Sequence, residues 1–293
     1  MLALRRRWFP TSLALAMAFA APFLARSSLA QPSLAQSSPP AQSSPHEAWP
    51  ETGTEVDVAL VLAVDISYSM DMEELALQRD GYIAALTSPV VLDAIRKGMI
   101  GKIAVTYIEW AGVSTRHVIA DWGIIDTEAS ARAFAEELRA APIRRARRTS
   151  ITGAIDFSMD QLRAAKLRPL RRVIDISGDG PNNEGGIVTI ARDRALRAGV
   201  VINGLPIILK RGFNSAYDIE TLDEYYADCV IGGPGSFMNV ITERDQFRDA
   251  IRNKILREVA QSTLSDAPSG QSRPGRSDCT LGERQWRQNW ERN

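Results

Sequence analysis

The chain has 293 residues, 45% of them hydrophobic and 24% charged, enough to bury one large core or two smaller ones. Its 35 basic and 35 acidic residues cancel, but four arginines and no acid fall within the first thirty residues. The remainder is therefore net acidic by four charges, which gives no footing for nucleic acid as a general partner.

Residues 1–30 read as a secretory signal. Arg5-Arg6-Arg7 forms a basic front, Ser12 to Leu24 is apolar and Ala-rich, and Ser28-Leu29-Ala30 offers a small-residue cleavage site before Gln31. A membrane anchor needs roughly twenty uninterrupted apolar residues, and Pro22 and Arg26 break this run. Arg6-Arg7-Trp8-Phe9 also resembles the core of a twin-arginine signal, with Arg5 where Ser or Thr is usual. No Cys follows the apolar run, so a lipid anchor is not expected, and no later segment is apolar enough to span a bilayer. The expected location is periplasmic or secreted, by the general or the twin-arginine route. Residues 31–54 are rich in Ser, Pro and Gln and read as a disordered leader.

From Glu55 apolar strands alternate with amphipathic helices. Strands are expected at 56–64, 103–110, 117–122, 172–177 and 200–208, with a short sixth at 237–241. Helices are expected at 72–86, 90–97, 128–139, 150–165, 185–197, 219–227 and 245–261. This alternation predicts an α/β fold, a doubly wound, mostly parallel six-stranded sheet with helices on both faces. The short link between 103–110 and 117–122 makes that pair a hairpin, giving one antiparallel edge strand. The domain is expected over 55–262.

Residues 263–293 are expected to form a flexible C-terminal tail, with linker composition up to Asp278. Trp286 and Trp290 share one face of any short helix there, so a folded-back helix is the alternative to a frayed end. Two cysteines, Cys229 and Cys279, follow the signal. A bond between them would contribute about 4 kcal/mol in the chain-entropy model; two unpaired thiols are the other reading, and both stay open.

Three segments carry the chemistry. The apolar strand ending at Val64 runs into Asp65-Ile66-Ser67-Tyr68-Ser69. Thr149 stands just before the helix that begins near Ser150, and a second apolar strand closes on Asp175-Ile176-Ser177-Gly178-Asp179-Gly180. Ligands of open α/β sheets bind at the carboxyl ends of strands. Hard oxygen donors gathered there, without His or Cys, suit Mg²⁺ or a similar cation, with Mn²⁺ and Ca²⁺ as alternatives. Each segment also has a local explanation. Ser and Asp make turns, Thr149 is a plausible N-cap, and Asp71 with Glu74 makes a capping box for the next helix.

Taken together, Asp-x-Ser-x-Ser, Thr-x-Ile before an Ala-Ile helix, and a strand closing on Asp-Gly resemble a von Willebrand factor type A (VWA) domain. The wording Gly178-Asp179-Gly180-Pro181-Asn182-Asn183 and the late Ile231-Gly232-Gly233-Pro234-Gly235-Ser236-Phe237 further resemble an uncharacterised bacterial group of exported VWA-like proteins, DUF1194. The resemblance implies a metal-ion-dependent adhesion site of Asp65, Ser67, Ser69, Thr149 and Asp179. It also implies a protein ligand whose Glu or Asp completes the metal shell, and no catalytic residues. Two departures stand out: Arg144 to Arg148, where glycines usually precede the Thr loop, and Thr152, where a small Gly is common.

Neutral hydroxyls and at most two carboxylates would leave a bound divalent ion electrophilic and able to accept an outside carboxylate. The four arginines of 144–148 would strengthen that attraction if they share the rim. The competing reading is a Mg²⁺-dependent phosphohydrolase of the haloacid dehalogenase type, which needs a second Asp where this chain has Ser67. A scaffold with a vestigial metal site is the third. His117, Glu109 and the tyrosines at 217, 225 and 226 are expected to serve packing and hydrogen bonding.

Overall fold

The computed structural model describes residues 49–50, 52–209, 221–260 and 277–290. The expected signal sequence, most of the leader and Tyr217 lie outside the described residues. Among the described residues no helix is long and apolar enough to cross a membrane.

The sheet has five strands in the order β3-β2-β1-β4-β5. They are β1 (Thr54–Asp65), β2 (Ile103–Trp110), β3 (Arg116–Ile125), β4 (Leu167–Gly178) and β5 (Val200–Pro206). β1 is central and parallel to both β2 and β4, and β5 continues parallel beside β4. β3 alone is antiparallel, as the short link predicts; Ala111 N–H donates to Thr115 O at 3.0 Å to close the hairpin.

The all-apolar sequence of β1 follows from its position. Leu60, Leu62 and Val64 face one core, and Ala59, Val61 and Ala63 face the other, so neither side of the strand meets water. The first core is covered by α1 (Met72–Leu86), α2 (Pro89–Arg96), α3 (Glu128–Ala140) and α7 (Phe247–Ala260). The second is covered by α4 (Ile151–Ala164), α5 (Val188–Arg197), the short α6 (Leu222–Tyr225) and the π-turn that extends it to Val230. β1 and β4 adjoin where the crossovers part to opposite faces, the place where such sheets open a crevice.

The expected sixth strand at 237–241 is not a strand. The segment runs beside β5 through isolated bridges, Gly204 with Met238 and Ile207 with Ile241. Asn239 N–H reaches Gly204 O at 3.1 Å and Ile241 N–H reaches Pro206 O at 3.0 Å. Pro206 has no N–H to return, so the ladder cannot propagate. The sheet therefore ends at five.

One buried charge network ties α7 to the sheet. Lys254 Nζ lies 2.8 Å from Asp175 Oδ1 on β4 and 3.0 Å from Glu258 Oε1, and all three side chains are wholly buried. Asn203 Nδ2 on β5 donates to both oxygens of Glu258 at 2.8 Å, while its Oδ1 accepts from Phe237 N–H at 2.9 Å.

Within the expected tail, the described residues follow the folded-back alternative. Over 277–290 they are held against the domain by a Cys229–Cys279 disulfide, Cα atoms 5.5 Å apart, and form α8 (Leu281–Trp290).

Candidate metal centre

The loop after β1 is shaped by its own polar side chains. Ser67 N–H donates to Asp65 Oδ1 at 2.7 Å, which folds the backbone over the carboxylate. Asp71 then caps α1 through the expected capping box: its Oδ1 accepts from Glu74 N–H at 2.8 Å, and Glu74 Oε2 accepts from Asp71 N–H at 2.9 Å. The positive end of α1 thus abuts the Asp-x-Ser-x-Ser turn.

A chain of oxygens runs across the crevice from there. Ser67 Oγ and Ser69 Oγ are 2.7 Å apart, and Ser69 Oγ donates to Asp179 Oδ1 at 2.6 Å. Ser69, Thr149 and Asp179 together line a cavity of about 30 Å³, room for a small ion or one or two waters. Asp65 is fully buried behind it, and among the described residues its Oδ2 has no hydrogen-bond partner. Burial, reinforced by the charge of Asp179, holds the Asp65 carboxyl well above the usual carboxylate range. Among the described residues no Lys or Arg lies within ion-pair distance of Asp65. Gly178 is required by close approach: a Cβ there would stand 3.0 Å from both Asp65 Oδ2 and the Tyr226 hydroxyl.

Thr149 is not the helix cap. Ser150 takes that role, its Oγ accepting from Gly153 N–H at 3.1 Å and donating to Glu184 O at 2.9 Å. The Thr149 backbone is clasped by Asn183, whose Oδ1 accepts from Thr149 N–H at 3.0 Å while its own N–H donates to Thr149 O at 2.8 Å. Asn182 Oδ1 accepts from Thr152 N–H at 3.0 Å, and Thr152 Oγ1 donates to Gly186 O at 3.0 Å. The two asparagines and Thr152 therefore lock the Thr loop to the Asp179 loop. Replacing Ser150 with Ala should cost about 1 kcal/mol in denaturant unfolding, the usual loss for an N-cap.

The arginine run reaches the same rim. Ala146 N–H donates to Ile66 O at 2.9 Å, placing the run alongside the Asp65 loop. The Arg145 guanidinium lies 5.1 Å from the ring centre of the exposed Tyr68, whereas Arg144 and Arg147 face solvent. Arg148 adopts a left-handed φ of 75°, the conformation that a Gly before the Thr loop would supply without strain. Beneath the rim, Arg79 pairs with buried Glu109 and its guanidinium also reaches the Ala141 carbonyl. Glu109 thus belongs to a structural ion pair, and His117 is exposed on β3. Tyr225 and Tyr226 are buried in the core, and Tyr225 Oη accepts from Asn182 N–H at 3.2 Å.

All five residues singled out by sequence converge at the carboxyl ends of β1 and β4. The donors are hydroxyl and carboxylate oxygens, and among the described residues no cluster of three or more His, Cys, Asp or Glu competes as a metal site. A partnerless buried carboxylate oxygen, a hydroxyl chain and an ion-sized cavity fit a hard divalent cation.

Fold and site together define a VWA-like α/β domain. The family described as "Protein of unknown function (DUF1194)" matches residues 55–263, and the chain belongs to it. Among curated proteins none matches the chain. Among solved structures it is similar to proximal thread matrix protein 1 from the mussel byssus, at 11% identity and a TM-score of 0.51, covering 72% of this chain and 49% of that one. A structure of the same byssus protein with a zinc-occupied MIDAS motif gives the same identity, coverage and score. The pilus adhesin SpaC from Lactobacillus rhamnosus GG is similar at 13% identity and a TM-score of 0.51, with 72% and 30% covered. The chain thus spans about half of the byssus protein and under a third of the adhesin, and at these identities the likeness is one of fold.

Proposed function

We propose that the protein is an exported, non-enzymatic binding module that holds a Mg²⁺-type ion through Asp65, Ser67, Ser69, Thr149 and Asp179. Through that ion it captures a Glu or Asp carboxylate of a protein partner in the periplasm or outside the cell. The observation that carries this reading is the buried, partnerless Asp65 Oδ2 at the head of the Ser67–Ser69–Asp179 oxygen chain. Two carboxylates with no cation beside Asp65 leave a local negative charge that a divalent ion neutralises, and neutral hydroxyls leave the ion electrophilic. Arg144 and Arg147 on the rim favour an acidic partner, while Tyr68 and Arg145 beside them are residue types that anchor interfaces. The zinc-occupied MIDAS of the byssus protein and the adhesive role named for SpaC agree with this reading.

The phosphohydrolase alternative lacks its general acid. Ser67 stands in the required place, with its hydroxyl engaged by Ser69. Immobilised protein in Mg²⁺ buffer is expected to retain a partner from an extract of its own cells, to release it on EDTA, and to lose it on Asp179→Ala. Retention indifferent to EDTA would sink the metal-bridged mode. Phosphatase turnover that disappears in the same variant would establish the enzyme instead.

A further inference from the structure

Helix α8 closes over the cavity that the metal reading leaves open to a partner. Asn182 Nδ2 donates to Glu283 Oε1 at 2.7 Å. Gly282 packs so tightly on the 182 carbonyl that a Cβ there would fall 2.1 Å from its oxygen. The Arg148 guanidinium carbon lies 3.3 Å from the ring centre of Trp286, and that stacking accompanies the left-handed backbone at Arg148. Behind the helix, Ser277 N–H donates to Asp228 Oδ2 at 2.9 Å, next to the Cys229–Cys279 bond.

These contacts leave Ser277 Oγ, Glu283 Oε2 and Gln285 Oε1 buried without a hydrogen-bond partner among the described residues, and of the three residues Gln285 alone lines the cavity. Gln285 Oε1 is buried, has no hydrogen-bond partner, and belongs to a side chain lining the same cavity as Ser69, Thr149 and Asp179. A buried amide oxygen without a donor is costly, and the ordinary remedy is a donor or a cation. Among the described residues no donor reaches it. Amide carbonyls are normal ligands of hard divalent ions, so the same ion that satisfies Asp65 would satisfy Gln285.

We propose that Gln285 is a metal ligand supplied in cis, so that α8 occupies the coordination position a partner's carboxylate would take and the partner binds by displacing the helix. This rests on the metal reading above. The chemistry makes such an exchange workable. A carboxylate carries a full charge to the ion where the amide carries only a dipole, so an acidic partner outcompetes Gln285 once it is close. Until then the short tether from Cys279 keeps the amide at high effective concentration, and weak acidic ligands are turned away. Displacement also bares Trp286 and Arg148, which are then free to join the partner's interface.

The test is Mn²⁺ titration of the wild type, Gln285→Ala and Gly282→Ala, followed by water-proton relaxation, which counts waters bound directly to the ion. Both variants are expected to bind Mn²⁺ with about one more inner-sphere water than the wild type, since the ion keeps its coordination number. Gly282→Ala retains the amide and unseats only the helix, so it separates docking from ligation. A gain in Gln285→Ala alone also supports the proposal. Equal relaxation in all three with Mn²⁺ bound overturns it and leaves the metal reading standing. A gain confined to Gly282→Ala overturns it too, because α8 would then exclude water without Gln285 ligating. Failure of all three to bind Mn²⁺ overturns the metal reading and this proposal together.

Discussion

Asp65→Asn should abolish the rise in melting temperature that Mg²⁺ or Mn²⁺ produces in the wild type, and in metal-free buffer it should melt at or above the wild type. Both halves follow from the same burial. In the metal-free protein Asp65 is enclosed, faces the charge of Asp179 and has one oxygen without a partner. Removing its charge removes a desolvation cost together with a repulsion. With metal present the sign reverses, because a ligand that binds only the folded state stabilises it by mass action. At a hundred times its dissociation constant the gain is about 2.7 kcal/mol. For a domain of this size that is roughly 5–10 °C in melting temperature. Differential scanning calorimetry with and without metal checks both halves. A metal-induced rise that survives in Asp65→Asn would remove Asp65 from the site. A large loss of stability in metal-free buffer would make it a structural carboxylate.

The second large effect lies far from the metal. Lys254→Met should destabilise the protein by about 3–5 kcal/mol, since it strands two buried carboxylates without their cation. That corresponds to a fall of about 6–20 °C. The loss should depend on pH. Burial raises Asp175 to about 6, and Lys254 opposes that rise. A carboxyl raised on folding contributes stability that is fully present below its unfolded value and is lost as pH climbs through the folded one. In the wild type this decline runs from about 4 to about 6. Without Lys254 the carboxyl is raised further, so the variant goes on losing stability above pH 6 while the wild type levels off. The gap between the two proteins should therefore widen between pH 6 and pH 8 in urea titrations. A gap that does not change with pH would mean that Asp175 is not the titrating group. Lys254→Met combined with Asp175→Leu and Glu258→Leu should recover much of the loss, as apolar replacements of buried ion networks often do.

Much of the fold was legible because its signals are local. β1 and β2 are unbroken apolar runs and α1 opens on the Asp71–Glu74 capping box, and the structure places all three where those signals do. The hairpin of β2 and β3 was legible from loop length. The sixth strand was misread because Phe237–Ile241 has strand composition, whereas its pairing depends on Pro206, a residue of the neighbouring segment. Thr149 was legible as a candidate site residue but ambiguous as a cap. Ser150 settles that by taking the cap itself. The asparagine clasp around Thr149 was invisible, since its partners are thirty or more residues apart in the chain.

The sequence by itself determined the parallel α/β plan and the identity of the five candidate metal ligands. Both are written in nearest-neighbour terms: apolar runs fit for burial on both faces, and oxygen side chains at strand ends. Only the tertiary structure decided that the cysteines pair and that α8 lies over the crevice with Gln285 beside Ser69, Thr149 and Asp179. Those facts depend on loop closure across fifty residues and on the shape of a surface assembled from four separate segments. No local pattern encodes a contact of that kind, because its free energy exists only after the sheet has brought the segments together.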